Sequence, residues 1–299
     1  MKIQIITILA FATVMITACA GEYSPVEKDT PVSTPTDEQI QAAQKEVYGF
    51  SVSELSFLQN GKKIYGKLYT PEGNGPYPAV ILGHAFGANL SMMENYAEAF
   101  ANKGIIAYAF DFIGGGQNIQ SDGTMEEMSV LTEAEDMKTV LEGIRALDIV
   151  DEKNVFVMGA SQGGFVATYV AGTIPEAVKG LIAFYPAYVI QDDAKKRTNN
   201  GTDMKESFEA LGNKLSRIYD EDALSFDIYD IMKGYDGKAL IIHGTADMLV
   251  PYEYAQRAAD TMKNAKLITI EGAGHGFDVD DNKYATEMAV EFVKDTING

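Results

Sequence analysis

Cysteine is almost missing from this chain: of its 299 residues only Cys19 is one. With the lone thiol beside the N-terminus, the rest of the chain has none to form a disulfide, hold a metal or act as a nucleophile. Histidine is scarce too, limited to His84, His243 and His275. Any chemistry that needs an imidazole must therefore use one of three. Basic residues are outnumbered, 24 Lys and Arg against 43 Asp and Glu, for a formal charge of −19. Repulsion on that scale disfavours nucleic acid and anionic membrane surfaces as partners. An acidic surface that serves solubility accounts for the excess. No segment of about 20 to 50 residues recurs, which argues against a repeat architecture.

Apolar residues do run together at the N-terminus. The segment MKIQIITILAFATVMITACAG has one lysine, a stretch too short for a membrane span, and then small residues. That is the pattern of an export signal, expected over residues 1–18. Ile16-Thr17-Ala18-Cys19 also resembles the lipobox of bacterial lipoproteins. The resemblance implies lipidation of Cys19 and an exported cell-envelope lipoprotein held to the membrane by its N-terminal lipid anchor only, with plain secretion as the alternative. Residues 19–44 are rich in Pro, Ser, Thr and charge, as a tether would be, and the folded domain is expected over 45–299.

Within that body a hairpin is expected first, with strands at 50–58 and 63–69 around Asn60-Gly61. Short apolar runs at 79–82, 105–110, 155–158, 181–184, 239–242 and 267–270 suit buried strands. Helical patterns lie between them, at 91–103, 132–147, 165–171, 252–262 and 282–296. Ser91 with Glu94, and Thr132 with Glu135, have the spacing of capping boxes. A hairpin followed by β-α alternation predicts an α/β fold with a mostly parallel sheet and helices on both faces. Residues 187–235 interrupt the alternation and are expected to form a small helical insertion over the carboxyl ends of the strands.

One corner of this pattern carries chemistry. In VFVMGASQGGFVATYV (155–170), Ser161 lies between a strand-like and a helix-like run, with Gly159 and Gly163 two residues to either side. G-x-S-x-G at a strand-to-helix turn lets a serine adopt a strained backbone and project its hydroxyl above the sheet edge. The bland reading is a glycine-assisted reversal. A phosphate loop does not fit, because neither G-x-G-x-x-G nor G-x-x-x-x-G-K-[ST] is present there.

A serine nucleophile needs a base, and the base needs an orienting acid. In α/β-hydrolases these follow the serine in the order acid, then histidine, each at a strand's carboxyl end. Asp247, just beyond the run ending at 242, and His275, in EGAGHGFD after the last run, fit that order. His84 and His243 precede the acid and are read as structural. Taken singly, Asp247 could be a helix cap and His275 a loop residue; Asp278 and Asp280 are reserve acids. Donors for a developing oxyanion are expected from the backbone N–H of Gln162 and, in GHAFGAN, of Phe86.

The ordered motifs His84-Ala85-Phe86-Gly87, Gly159-Ala160-Ser161-Gln162-Gly163-Gly164, His243-Gly244-Thr245-Ala246-Asp247 and Gly274-His275-Gly276 resemble those of the α/β-hydrolase superfamily. Within it the chain is most similar to bacterial serine esterases of the cinnamoyl or feruloyl type, over about residues 50–297. Two positions depart from the pattern: Ala85, where glycine is common, and Ala160, where a histidine or an acid often precedes the serine.

The resemblance implies an α/β-hydrolase fold with a cap insertion, and hydrolysis of a small-molecule or saccharide-linked carboxylic ester by Ser161, His275 and Asp247. It implies no metal and no organic cofactor. Phe112 and Tyr188 are candidates for an aromatic pocket wall, a role their sequence context does not separate from core packing. A single-domain peptidase of the acylaminoacyl or prolyl oligopeptidase type shares the same catalytic order, and a non-catalytic ligand-binding lipoprotein is a third reading. Oligomeric state is left open.

Overall fold

The structure is a computed structural model that describes residues 47–298. The expected export signal, the lipidation site Cys19 and the tether lie outside these residues.

The chain enters through an antiparallel hairpin, β1 (Phe50–Gln59) and β2 (Lys62–Pro71). Asn60 and Gly61 turn it with φ of 49° and 80°, the left-handed pair that a two-residue turn between right-twisted strands requires. There follow β3 (Tyr77–Gly83), α1 (Glu94–Ala101), β4 (Ile106–Phe110), α2 (Val130–Arg145), β5 (Val150–Ala160), α3 (Gln162–Thr173) and β6 (Gly180–Phe184). The insertion comes next: α4 (Ile190–Arg197), the short hairpin β7 (Ser207–Ala210) and β8 (Asn213–Ser216), α5 (Arg217–Leu224) and α6 (Ile228–Met232). The chain then returns to the sheet through β9 (Lys238–Gly244), α7 (Glu253–Thr261), β10 (Ala265–Ile270) and α8 (Val279–Asn298).

Eight strands form one sheet in the order β1-β2-β4-β3-β5-β6-β9-β10. Pairing is antiparallel for β1/β2 and β2/β4 and parallel from β4 through β10. The central strands are apolar at nearly every position because helices cover both faces. Side-chain alternation divides them between two cores: Ala79, Ile81, Val155 and Val157 pack with α2 and α3, while Val80, Leu82, Phe156 and Met158 pack with α1 and α8. At roughly 2 kcal/mol for each fully buried large aliphatic or aromatic side chain, these strands dominate the stabilisation of the sheet. Among the described residues, no helix is long and apolar enough to cross a membrane.

Each sheet strand expected from sequence is present. Helix starts were less legible. Asn89, not Ser91, accepts from the Ser91 N–H to open the first helical segment, a 3₁₀ turn at Leu90–Met93 that runs into α1. The helix expected to open with Thr132 and Glu135 is α2, whose N-cap is Ser129, with Thr132 completing the capping box. In both stretches several hydroxyl, amide and acid side chains could serve as caps, and the earlier one, in extended backbone, takes the role. The insertion also contains a hairpin that was not expected, because its strands have four residues each and a turn at Leu211-Gly212 without the usual Asn-Gly signal.

Polar ties hold the insertion to the body. Ser216 Oγ donates to the Glu126 carbonyl at 2.5 Å, Gln117 Nε2 to Asn213 Oδ1 at 2.8 Å, and the Ser129 hydroxyl to the Asp222 carboxylate. Inside the insertion, Arg197 grips the buried Asp220 through Nε and Nη2 and lies over the Phe208 ring at 4.3 Å.

Candidate active site

The carboxyl end of the sheet assembles the site. β5 runs straight into α3, and Ser161 stands at the corner as N-cap with φ 52° and ψ −115°, a conformation that costs a non-glycine residue energy and is kept only where its surroundings enforce it. They do so by hydrogen bonds: the Ser161 N–H donates to Phe184 O at 2.9 Å, and Ser161 O accepts from Ala187 and Phe165. The flanking glycines let the strand and the helix approach. A Cβ on Gly159 would lie 2.1 Å from the Gly163 backbone, and one on Gly163 would lie 2.3 Å from Gly83 O.

Ser161, His275 and Asp247, distant in sequence, form one line. His275 Nε2 is 2.9 Å from Ser161 Oγ, and His275 Nδ1 is 2.7 Å from Asp247 Oδ2. The Asp247 side chain is fully buried, whereas that of His275 keeps 20% exposure, which leaves a path for solvent and ligand. Asp247 Oδ1 accepts from the N–H groups of Leu249 and Val250 at 2.9 and 2.8 Å. Burial alone would raise its pKa, but hydrogen bonds from His243, His275 and Val250 outweigh it and hold Asp247 well below the ordinary carboxylate range. The carboxylate stays ionised against His275 Nδ1, while His275 Nε2 faces the Ser161 hydroxyl.

His243 also meets the acid, a contact the sequence did not reveal. It is fully buried, and its Nε2 lies 3.1 Å from Asp247 Oδ2 and 2.9 Å from Val250 O. The His243-to-Asp247 spacing of four residues was the only signal for it. His84, by contrast, is structural: Nδ1 donates to Ala85 O, Nε2 accepts from the Phe112 N–H, and burial lowers its pKa so that it remains neutral. Of the reserve acids, Asp278 accepts from the N–H groups of Asp280 and Asp281 at the start of α8. Neither Asp278 nor Asp280 is the partner of His275.

The N–H groups of Phe86 and Gln162 take no hydrogen bond among the described residues, so both are available to a ligand. Both residues line, with Ser161, a cleft of about 290 Å³ whose wall includes Tyr219, Arg197, Leu211 and Leu249. A larger groove of about 740 Å³ runs between α1 and α8 but contains none of the candidate residues. The smaller cleft is the one that meets Ser161.

Two expected wall residues are not there. Phe112 is wholly buried, packed against His84 and Phe110, and Tyr188 is buried with its hydroxyl 2.8 Å from Thr168 Oγ1. Both belong to the core because sequence alone does not separate an aromatic that lines a pocket from one that fills it.

Behind Gln162 lies a network that sequence reading missed. The Gln162 side chain is buried; its Nε2 donates to Glu133 Oε2 at 2.9 Å, and its Oε1 accepts from the Tyr219 hydroxyl at 2.6 Å. Burial pushes Glu133 well above its ordinary pKa, with Gln162 opposing and neighbouring Asp136 adding to the rise. Burial likewise pushes Asp136 up to about 7, against the Ile113 N–H that donates to it at 2.8 Å.

Residues 74–221 match the family model described as serine aminopeptidase, S33, and residues 229–296 match that of a TAP-like protein. The chain is 29% identical over 140 residues to protein usf of Aquifex pyrophilus, an alignment covering 44% of this chain and 60% of that protein. It is 29% identical over 107 residues to a putative carbamate hydrolase, RutD, of Stutzerimonas stutzeri, covering 36% of this chain and 40% of the other. Among solved structures, Est1E from Butyrivibrio proteoclasticus with ferulic acid bound superposes with a TM-score of 0.75 at 26% identity, over 82% of this chain and all of that one. An esterase from Exiguobacterium antarcticum, at 22% identity and a TM-score of 0.61 over 81% of this chain and 99% of its own, shares the fold.

Proposed function

The chain belongs to the α/β-hydrolases, and from that premise we propose that it is an esterase that cleaves carboxylic esters with Ser161 as nucleophile, His275 as general base and acid, and Asp247 as orienting carboxylate. The observation that carries the reading is the hydrogen-bonded line from Asp247 through His275 to a serine held at φ 52° on the floor of a cleft.

In this reaction His275 Nε2 takes the proton of Ser161 as Oγ attacks the ester carbonyl carbon. The negative charge that forms on the carbonyl oxygen is met by the N–H groups of Phe86 and Gln162, which contribute most where charge is greatest, in the transition state. The imidazolium then gives its proton to the departing alkoxide, leaving an acyl group on Ser161. Water, activated by His275 in the same way, releases the acid. Asp247 stays ionised throughout because four donors surround it: His243, His275, and the N–H groups of Leu249 and Val250.

A cleft with Phe86, Leu211, Leu249 and Tyr219 on its wall suits a short or aromatic acyl group, and the likeness of the chain as a whole to a protein with ferulic acid bound supports a hydroxycinnamoyl ester as one substrate. The S33 description supports a second reading, an aminopeptidase with the same triad. Initial rates on p-nitrophenyl acetate, butyrate and octanoate, methyl ferulate and an aminoacyl p-nitroanilide separate the two. Ester turnover that falls by about 10⁶ in Ser161→Ala supports the proposal. Cleavage of the anilide alone replaces it with the peptidase.

A further inference from the structure

Tyr219, on α5 of the insertion, touches both segments that carry the candidate oxyanion donors. Its hydroxyl donates to Gln162 Oε1 at 2.6 Å, and its ring stands edge-on to Phe86 with centroids 6.0 Å apart. It also packs against Phe208 and lines the cleft. On the far side of Gln162, Glu133 accepts from Nε2, so the amide is held at both ends by buried partners on different elements.

Gln162 is the first residue of α3, directly after the strained Ser161, and the direction of its N–H depends on that first turn staying put. A hydrogen bond weakens steeply as its donor angle falls below about 120°, so a small rotation of the turn is felt at the oxyanion. We propose that Tyr219, with Glu133, acts through Gln162 as a positioning residue of the oxyanion hole, so that the cap governs the rate of bond formation at Ser161 and not only the fit of the acyl group. The inference rests on the serine-hydrolase reading above.

The test compares Tyr219→Phe, Glu133→Leu and Glu133→Gln with the wild type, using the full chain and two readouts. One is the rate of Ser161 phosphonylation by an alkyl fluorophosphonate: the Oγ–P bond forms, the P–F bond breaks, fluoride leaves, the serine proton passes to His275, and charge gathers on the phosphoryl oxygen in the oxyanion hole. The other is kcat and KM on the best ester.

Tyr219→Phe, which removes one oxygen, is expected to slow phosphonylation and lower kcat by a common factor of about ten, with KM changed by less than about twofold. Glu133→Leu should match it. Glu133→Gln, whose amide oxygen still accepts from Gln162, should stay within about twofold of wild type in both readouts. If Glu133→Leu does not fold, Tyr219→Phe and Glu133→Gln carry the comparison.

A Tyr219→Phe enzyme with raised KM but unchanged kcat and phosphonylation overturns the proposal and makes Tyr219 a wall of the cleft. So does a Glu133→Gln enzyme as slow as Tyr219→Phe. A wild type that resists the fluorophosphonate removes the oxyanion hole and the serine-hydrolase reading together. Phosphonylation without turnover of any ester defeats only the ester assignment, and the phosphonylation rates of the variants still decide the role of Tyr219.

Discussion

Two buried carboxyls reach Ser161 through one intermediary each, Asp247 through His275 and Glu133 through Gln162, and their pKa values are shifted in opposite directions. Both are out of water, so burial pushes both upward. Asp247 nevertheless ends far below its ordinary range and Glu133 well above it. The difference lies in what surrounds them. Asp247 receives two imidazole and two backbone donors, while Glu133 accepts from the Gln162 amide and has another acid, Asp136, nearby. Donors to the charged form oppose the effect of burial at Asp247 and are fewer at Glu133. One side of the serine thus surrounds its carboxylate with donors, and the other holds the Gln162 amide between Glu133 and Tyr219.

The strongest way to break this contrast is to neutralise the charged side. Asp247→Asn keeps shape but loses the charge and the tautomer control over His275, and kcat on the best ester is expected to fall by about 10⁴ with far-UV circular dichroism unchanged. A fall of less than about tenfold would mean that the contrast has no catalytic consequence. A subtler change removes one donor. His243→Phe takes its hydrogen bond from Asp247 and Val250 O, and should lower kcat about tenfold and cost about 1–3 kcal/mol of stability in urea titration.

The smallest expected effect lies on the neutral side and is read from pH. The folded pKa of Asp136 is raised to about 7, so the stability it contributes is complete below the unfolded value near ~4 and is lost as pH rises through about 7. Glu133 acts in the same direction. Asp247, depressed when folded, loses its contribution only as pH falls below the ordinary carboxylate range, outside that window. The urea midpoint of wild type should therefore decline between about pH 4 and 7, and Asp136→Asn should flatten the decline. An unaltered slope would show that Asp136 is charged in the folded protein.

The two sides also differ in how far they could be read from sequence. Ser161, Asp247 and His275 announced themselves by glycine spacing and by their order after successive apolar runs, signals that depend on the chain alone. Glu133 sits in a helical pattern as one acid among several, and Tyr219 in an insertion with several aromatics, so nothing local marks either. Their place beside Gln162 comes from a contact 57 residues long between Tyr219 and Gln162 and one 29 residues long between Glu133 and Gln162. Phe112 and Tyr188 failed as wall residues for the same reason: an aromatic's type is visible in sequence, but the face it presents is not.

By itself, then, the sequence determined the strands, their burial on both faces and the serine corner, because apolar periodicity and glycine spacing act over a few residues. The tertiary structure alone decided that His243 holds the acid and that the two buried carboxyls shift in opposite directions. Those outcomes depend on hydrogen-bond partners that only folding brings together, and in a dry interior the partners set the charge.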